Sequence, residues 1–296
     1  MSLLQQQFSP LASPLGEGTQ AIAPPRALRG FDAALRYALR AGELRLDFQP
    51  LIAVATGSTA GFEALLRWRR PGQGDLDAGQ FIAAAERSPA FDEIGAWTLR
   101  EAARALASWP GHLRVTVNLS AAQLRTPLLC ETVRALIDNG RLDPRRLELE
   151  IAESAFIDDF AVVASTLNGL RREGVKIALD DFGGSHSSLT ALARLPLDRL
   201  KIDRAFVVDA LLNPRCAAVI RAAARLAKEL GMALTGEGVE TCQQLALLRS
   251  AGCDEAQGYF YSRPLPESEL ASAYESVSTA CTGREDCRLC PRAARN

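Results

Sequence analysis

Histidine is almost absent from this chain: His112 and His186 are the two among 296 residues. That scarcity argues against a zinc centre built on imidazoles, because such sites draw several ligands from histidine. There is no excess of charge of either sign. The formal net charge is −1, which argues against a general nucleic-acid polymer binder or a membrane-surface binder. No run approaches the roughly 20 apolar residues needed to span a bilayer. The opening MSLLQQQFSPLASPLG lacks a basic start and an apolar stretch, so it does not read as a signal peptide. The seven cysteines are odd in number and irregularly spaced, as expected for free thiols in a reducing cytoplasm.

What is present is a long, half-apolar chain, with 48% hydrophobic residues. Residues 1–30 are rich in Gln, Ser, Gly and Pro and read as a flexible tail. A short amphipathic helix is expected over Phe31–Arg40, ending near Gly42. Eight strand-like segments follow, at 44–53, 61–68, 113–120, 147–153, 175–182, 199–203, 232–239 and 255–261. Helical patterns separate most of them. Phe160, Val163, Leu167 and Leu170 recur at helical spacing, and Cys216–Leu230 is rich in Ala, Arg and Leu. Repeated strand–helix units imply a mostly parallel sheet, and eight of them a closed (β/α)₈ barrel of the TIM type in the α/β class. One connection breaks the pattern. VATGSTA alone separates the first two segments, too short for a parallel crossover of about 10–12 residues. The first strand is therefore predicted to be antiparallel.

Side chains alternate along a strand. Glu63 and Arg67 share one face of GFEALLRW, opposite Phe62, Ala64 and Leu66. Asn118 lies with Thr116, Glu150 with Glu148, Asp180 with Ala178, and Lys201 and Asp203 flank Ile202. Glu237 stands in GEGVE and Gln257 in AQGYF. The apolar sets belong against helices, so the polar sets face the barrel axis. There Glu63, Glu150, Asp180, Asp181 and Glu237 would converge on one mouth and repel each other. A lone strand-end acid is ordinarily a helix cap or an ion pair. The recurrence of an acid, an amide or a lysine at the same end of almost every strand, with several acids among them, calls for cations, and oxygen ligands suit Mg²⁺ or Mn²⁺, two ions bridged by a water being a common arrangement for phosphodiester hydrolysis.

FEALLRW, VNLSAAQL, LELEIAES, IALDDFG, DRLKIDRAF, GEGVET and AQGYFYSRPLP, in that order and spacing, resemble an EAL domain over about residues 33–266. The assigned organisation is then a tail (1–30), an EAL phosphodiesterase domain (31–266), and a C-terminal helix and cysteine-containing tail (267–296). The resemblance implies a barrel with an antiparallel first strand that hydrolyses cyclic di-GMP to linear pGpG with two divalent ions. It implies that Glu63, Asn118, Glu150, Asp180, Asp181 and Glu237 are metal ligands, Asp180 bridging both ions. Glu63, Asp181, Lys201 and Glu237 would form the catalytic set, with Lys201 at the attacking water or second metal. Gln49, Leu65, Arg67 and Gln257 would contact substrate or support the site, Arg67 binding phosphate, and Glu153 would anchor the loop after Asp-Phe-Gly. A homodimer and a cytoplasmic setting are expected as well, and a regulatory protein partner fits the same family.

Two departures stand out. The loop reads Gly184-Ser185-His186-Ser187-Ser188, with serine and histidine where the family has glycine and an aromatic residue. Serine tolerates positive φ poorly, so reduced activity, or a receptor that binds cyclic di-GMP and signals through a partner, stands as the alternative to the enzyme. Arg87-Ser88-Pro89 replaces a Glu-Thr-Gly-like turn, with a local effect expected. At the C-terminus, Cys281, Cys287 and Cys290 invite a metal or redox reading, but no nearby histidine completes a tetrahedral site.

Overall fold

A computed structural model of the chain describes residues 26–72, 74–156, 159–184, 189–271 and 274. The 185–188 part of the substituted loop, residues 1–25 of the expected N-terminal tail and the three C-terminal cysteines lie outside the described residues, while residues 26–30 of that tail are helical. The strands are β1 (Leu44–Ala53), β2 (Thr59–Arg70), β3 (Gly74–Asp77), β4 (Arg114–Leu119), β5 (Leu147–Ala152), β6 (Lys176–Phe182), β7 (Arg199–Ile202), β8 (Ala233–Gly236), β9 (Glu255–Ala256) and β10 (Leu265–Pro266).

Eight of these close a barrel in the order β1-β2-β4-β5-β6-β7-β8-β9 and back to β1. From β2 to β9 each neighbouring pair in the barrel is parallel. β1 runs antiparallel to both β2 and β9. The short connection dictates this. Ala53 N–H donates to Ser58 O at 2.9 Å and Gly57 N–H to Ala53 O at 2.8 Å, with Gly57 at φ +72°. β3 extends the upper half of β2, and β10 pairs with Asp47 and Phe48 of β1. These two short strands were not legible as separate segments in the sequence.

The apolar strand faces point outward, as the alternation requires. Val115, Val117, Leu149, Ile151, Ile177, Leu179, Leu200, Ile202 and Leu234 are buried beneath the helices. The helix Phe160–Arg172 lays Val163, Leu167 and Leu170 on this surface. The first helix runs Arg26–Ala41, five residues earlier at its start than expected. Its Asp32 accepts from Ser88 Oγ at 2.5 Å and from Ala90 N–H at 3.2 Å. The substituted Arg87-Ser88-Pro89 turn thus pins that helix to the barrel, and Ser88 is buried.

One strand needs correction. The segment 255–261 keeps only Glu255–Ala256 as strand. The chain turns at Gly258 because its backbone abuts Val239: a Cβ there would stand 2.1 Å from Val239 O. Val239 N–H donates to Gln257 O and Phe260 N–H to Val239 O, both at 2.9 Å. No helix among the described residues is long and apolar enough to cross a membrane.

Candidate active site

The parallel strands deliver their polar residues towards the mouth where barrel loops gather, at or just past the C-terminal end of most and in the part of β2 that pairs with β4. Glu63 comes from β2, Asn118 from β4, Glu150 from β5, Asp180 and Asp181 from β6, and Lys201 from β7. Glu237 follows β8 directly, and Gln257 follows β9. Gln49 of β1 sits opposite Glu63 in the antiparallel register.

Lys201 lies at the centre. It is 1% exposed. Its Nζ is 2.6 Å from Glu150 Oε2 and from Glu237 Oε1, 3.3 Å from Asp180 Oδ1 and 3.9 Å from Glu63 Oε2. Burial alone would lower the lysine pKa. The surrounding Asp180, Glu150, Glu237 and Glu63 overcome it and hold Lys201 well above its ordinary 10.5. The amides orient the glutamate of β2. Asn118 Nδ2 donates to Glu63 Oε1 at 2.6 Å, and Gln257 Nε2 donates to Glu63 Oε2 at 2.6 Å and to Gln49 Oε1 at 2.9 Å. Gln49 Nε2 in turn donates to Ser262 O at 3.1 Å.

A second ionic layer fills the barrel below. Arg199 Nε donates to Glu148 Oε1 at 2.9 Å, and Arg199 Nη2 to Glu255 Oε1 at 3.2 Å. Arg114 Nη1 donates to Glu255 Oε1 at 2.9 Å, and Arg114 Nε lies 3.5 Å from Glu148 Oε1. Two arginines face two glutamates there, and the layer is neutral. Burial pushes Glu255 up, but Arg114 and Arg199 outweigh it, so its pKa ends below the ordinary value.

The upper layer has no such balance. Among the described residues, Lys201 is the one cation in ion-pair range of all of Glu63, Glu150, Asp180 and Glu237. Burial, reinforced by the neighbouring carboxylates, raises Glu150 well above its ordinary value despite Lys201. Burial likewise pushes Glu237 up to about 8. Asp181 is raised by burial and by Asp180 and Asp203. Among the described residues, Glu150 Oε1, Asp180 Oδ1 and Gln257 Oε1 are buried without a hydrogen-bond partner. Asp180, Asp181 and Glu237 each present a carboxylate oxygen within 4.8 Å of the others. Carboxylate oxygens with spare lone pairs, clustered and under-neutralised, form a donor set for a hard divalent cation.

A cavity of about 190 Å³ opens onto this cluster. Gln49, Glu63, Asp180, Lys201, Glu237 and Gln257 line it, as do Arg204, Glu240 and Tyr259. The last three lay inside the motifs DRLKIDRAF, GEGVET and AQGYFY, but Arg204 opens a helix and Glu240 and Tyr259 lie in loops, so no strand alternation pointed them inward. Leu65 and Arg67 stand further along β2. The Arg67 guanidinium is engaged by Asp47 and Asp77, each at 3.1 Å. Glu153 is buried in the 3₁₀ turn Glu153–Phe156 after β5. The loop it is expected to anchor runs on into residues 185–188, outside the described part.

The class is therefore a TIM-type barrel with an acid-rich, cation-seeking pocket at the C-terminal mouth. More narrowly, the chain belongs to the EAL domain family, whose model matches residues 32–264. It is 42% identical over 240 residues to cyclic di-GMP phosphodiesterase NbdA of Pseudomonas aeruginosa, covering 80% of this chain and 31% of that protein. It is 40% identical over 253 residues to the uncharacterized protein y4lL of Sinorhizobium fredii, covering 86% of this chain and 31% of that one. The chain thus spans about a third of the length of these relatives. It also superposes on the solved c-di-GMP complex of the PaMucR phosphodiesterase with a TM-score of 0.76 at 37% identity, covering 80% of this chain and 98% of that one.

Proposed function

We propose that this chain is a metal-dependent phosphodiesterase that hydrolyses cyclic di-GMP to linear 5′-pGpG. The observation that carries the reading is the charge imbalance at the barrel mouth: a buried lysine amid four carboxylates, with Glu150 Oε1 buried and without a hydrogen-bond partner. Protein groups balance the layer beneath completely, so the excess above is a feature of the site and not of the barrel. The similarity to named cyclic di-GMP phosphodiesterases supplies the substrate.

Glu63, Asn118, Glu150, Asp180, Asp181 and Glu237 would hold two ions, Mg²⁺ or Mn²⁺. When bound, such ions lower the pKa of a water and stabilise charge developing on phosphate. Hydrolysis adds the water oxygen to phosphorus, breaks one P–O3′ bond, and leaves the proton on the departing 3′-oxygen. Lys201 holds Glu150 and Glu237 in place, each at 2.6 Å, while facing the cavity. Asn118 and Gln257 keep Glu63 in one orientation. Gln49, Leu65 and Arg67 would contact the nucleotide, and the planar Arg67 suits a phosphate if Asp47 and Asp77 share it. A homodimer and a cytoplasmic location belong to the same reading.

The test is incubation of the purified protein with cyclic di-GMP and Mg²⁺ or Mn²⁺, followed by chromatography. pGpG that forms only with metal is the expected result. Nucleotide binding by calorimetry without product would overturn the enzyme in favour of a receptor.

A further inference from the structure

The short helix Arg204–Asp209 follows β7 directly and touches both loops that carry cavity acids. Asp203 caps it, its Oδ1 accepting from Ala205 N–H at 2.7 Å. Asp203 N–H also donates to Phe182 O at 3.3 Å, tying the start of the helix to the end of β6. On one side the Phe206 ring lies against Gly183. A Cβ at that glycine would stand 2.6 Å from Phe206 Cε2 and 3.1 Å from Cζ. On the other side the Arg204 stem lies against Gly238, where a Cβ would stand 2.6 Å from Arg204 Cβ. Both glycines have positive φ, +93° and +69°.

The placement of these two notches is specific. Gly183 lies two residues after Asp181, and Gly238 directly follows Glu237. Asp181 itself is the one non-glycine with positive φ among the described residues, at +55°. A residue with a side chain holds that conformation only where its surroundings over-determine it. The surroundings here are the Gly184 N–H bond to Asp181 O at 3.1 Å, the Asp203–Phe182 bond, and the ring of Phe206 on Gly183.

We propose that the helix Arg204–Asp209 is a positioning element for the acid cluster: Phe206, seated on Gly183, holds the Asp181 turn, and Arg204, seated on Gly238, holds the Glu237 turn, so that the helix fixes the spacing of the two acids and with it the cation affinity of the site. Phe206 touches no reacting atom and acts through Asp181. The inference rests on the metal reading above and extends it to residues outside the acid cluster.

The test is Mn²⁺ binding by calorimetry to the full chain and its variants. Phe206→Ala should weaken Mn²⁺ binding about tenfold or more, the range for groups that support metal ligands. Phe206→Tyr, which keeps the ring, should bind close to wild type. Val207→Ala is the control. Val207 is on the same helix, 1% exposed and turned to the core, so this variant should lower the melting temperature yet leave Mn²⁺ affinity intact. Unchanged binding in Phe206→Ala, or an equal loss in Val207→Ala, overturns the proposal. Should Phe206→Ala fail to fold, Phe206→Leu takes its place with the same two outcomes. Wild type that binds no Mn²⁺ defeats the metal reading itself, and wild-type binding with an unaffected ring variant defeats the helix role alone.

Discussion

Arg199 and Lys201 stand two residues apart on the axis-facing side of β7, and each meets a glutamate of β5: Glu148 at 2.9 Å and Glu150 at 2.6 Å. The same strand thus carries one cation into a balanced layer and the next into an unbalanced one. The two residues should answer to mutation in different ways.

Arg199→Met removes a partner from a buried, charge-balanced network and leaves Glu148 and Glu255 under-compensated. The expected cost is about 3–5 kcal/mol, read as a lower urea midpoint. Mn²⁺ affinity of the folded protein should be unchanged, because the acids of the upper layer keep their places. A loss of Mn²⁺ affinity with stability intact would contradict the division into a structural and a functional layer.

Lys201→Met leaves the mouth with no internal cation. In chelator, the variant should be less stable than wild type by a similar margin, about 3–5 kcal/mol. Divalent ions should restore more stability to it than to wild type, since they replace the missing charge. The check is the rise in melting temperature on adding Mn²⁺, compared between the two proteins. An equal rise would mean that Lys201 and the ions do not neutralise the same carboxylates.

Much of this was legible beforehand, and the reason is alternation. Glu63, Asn118, Glu150, Asp180 and Lys201 sit on strands whose opposite faces are apolar, so their inward direction followed from period two. The antiparallel first strand followed from the length of VATGSTA. By the same rule Arg114 and Arg199 share faces with Thr116 and Lys201, so the lower ionic layer was in the pattern, though only one of its two glutamates, Glu148, was singled out. What alternation could not reach was loop geometry. Arg204 lines the cavity from the start of a short helix and Glu240 and Tyr259 from loops, and the end of β9 is set by a backbone contact between Gly258 and Val239 that no periodicity announces.

The elevated carboxyls predict how metal-free stability changes with pH. Glu237 moves from an ordinary 4.5 to about 8 in the folded protein, and Glu150 is raised as well. A carboxyl with a raised folded pKa holds a proton that the unfolded chain has released. Stability therefore falls as pH rises from 4.5 towards 8. Glu255 and Asp198 are depressed, so their contribution is present above the ordinary carboxylate range and is lost only as pH falls through their folded values. Melting temperature in EDTA should decline across that interval, and Glu237→Gln should flatten the decline. A flat or rising wild-type profile would show that the acids are not destabilising when charged.

Glu63→Gln tests the site by changing one charge within a fixed shape. Glu63 accepts on both oxygens, from Asn118 Nδ2 and from Gln257 Nε2, each at 2.6 Å. A glutamine has one acceptor oxygen, so its NH₂ must face one of those donors. The Gln257 amide cannot turn over freely to relieve this, because its Nε2 also serves Gln49 Oε1 at 2.9 Å and Gln49 is itself fixed on Ser262 O. The substitution therefore removes a ligand charge, and the Asn118 amide must turn its Oδ1 towards the new NH₂. Turnover of cyclic di-GMP should fall by more than about 100-fold, beyond the range of residues that merely support a metal ligand, and Mn²⁺ affinity should fall with it. A variant that keeps turnover within about tenfold of wild type would place Glu63 outside the ligand set, since a first ligand cannot lose its charge for less than a supporting group costs.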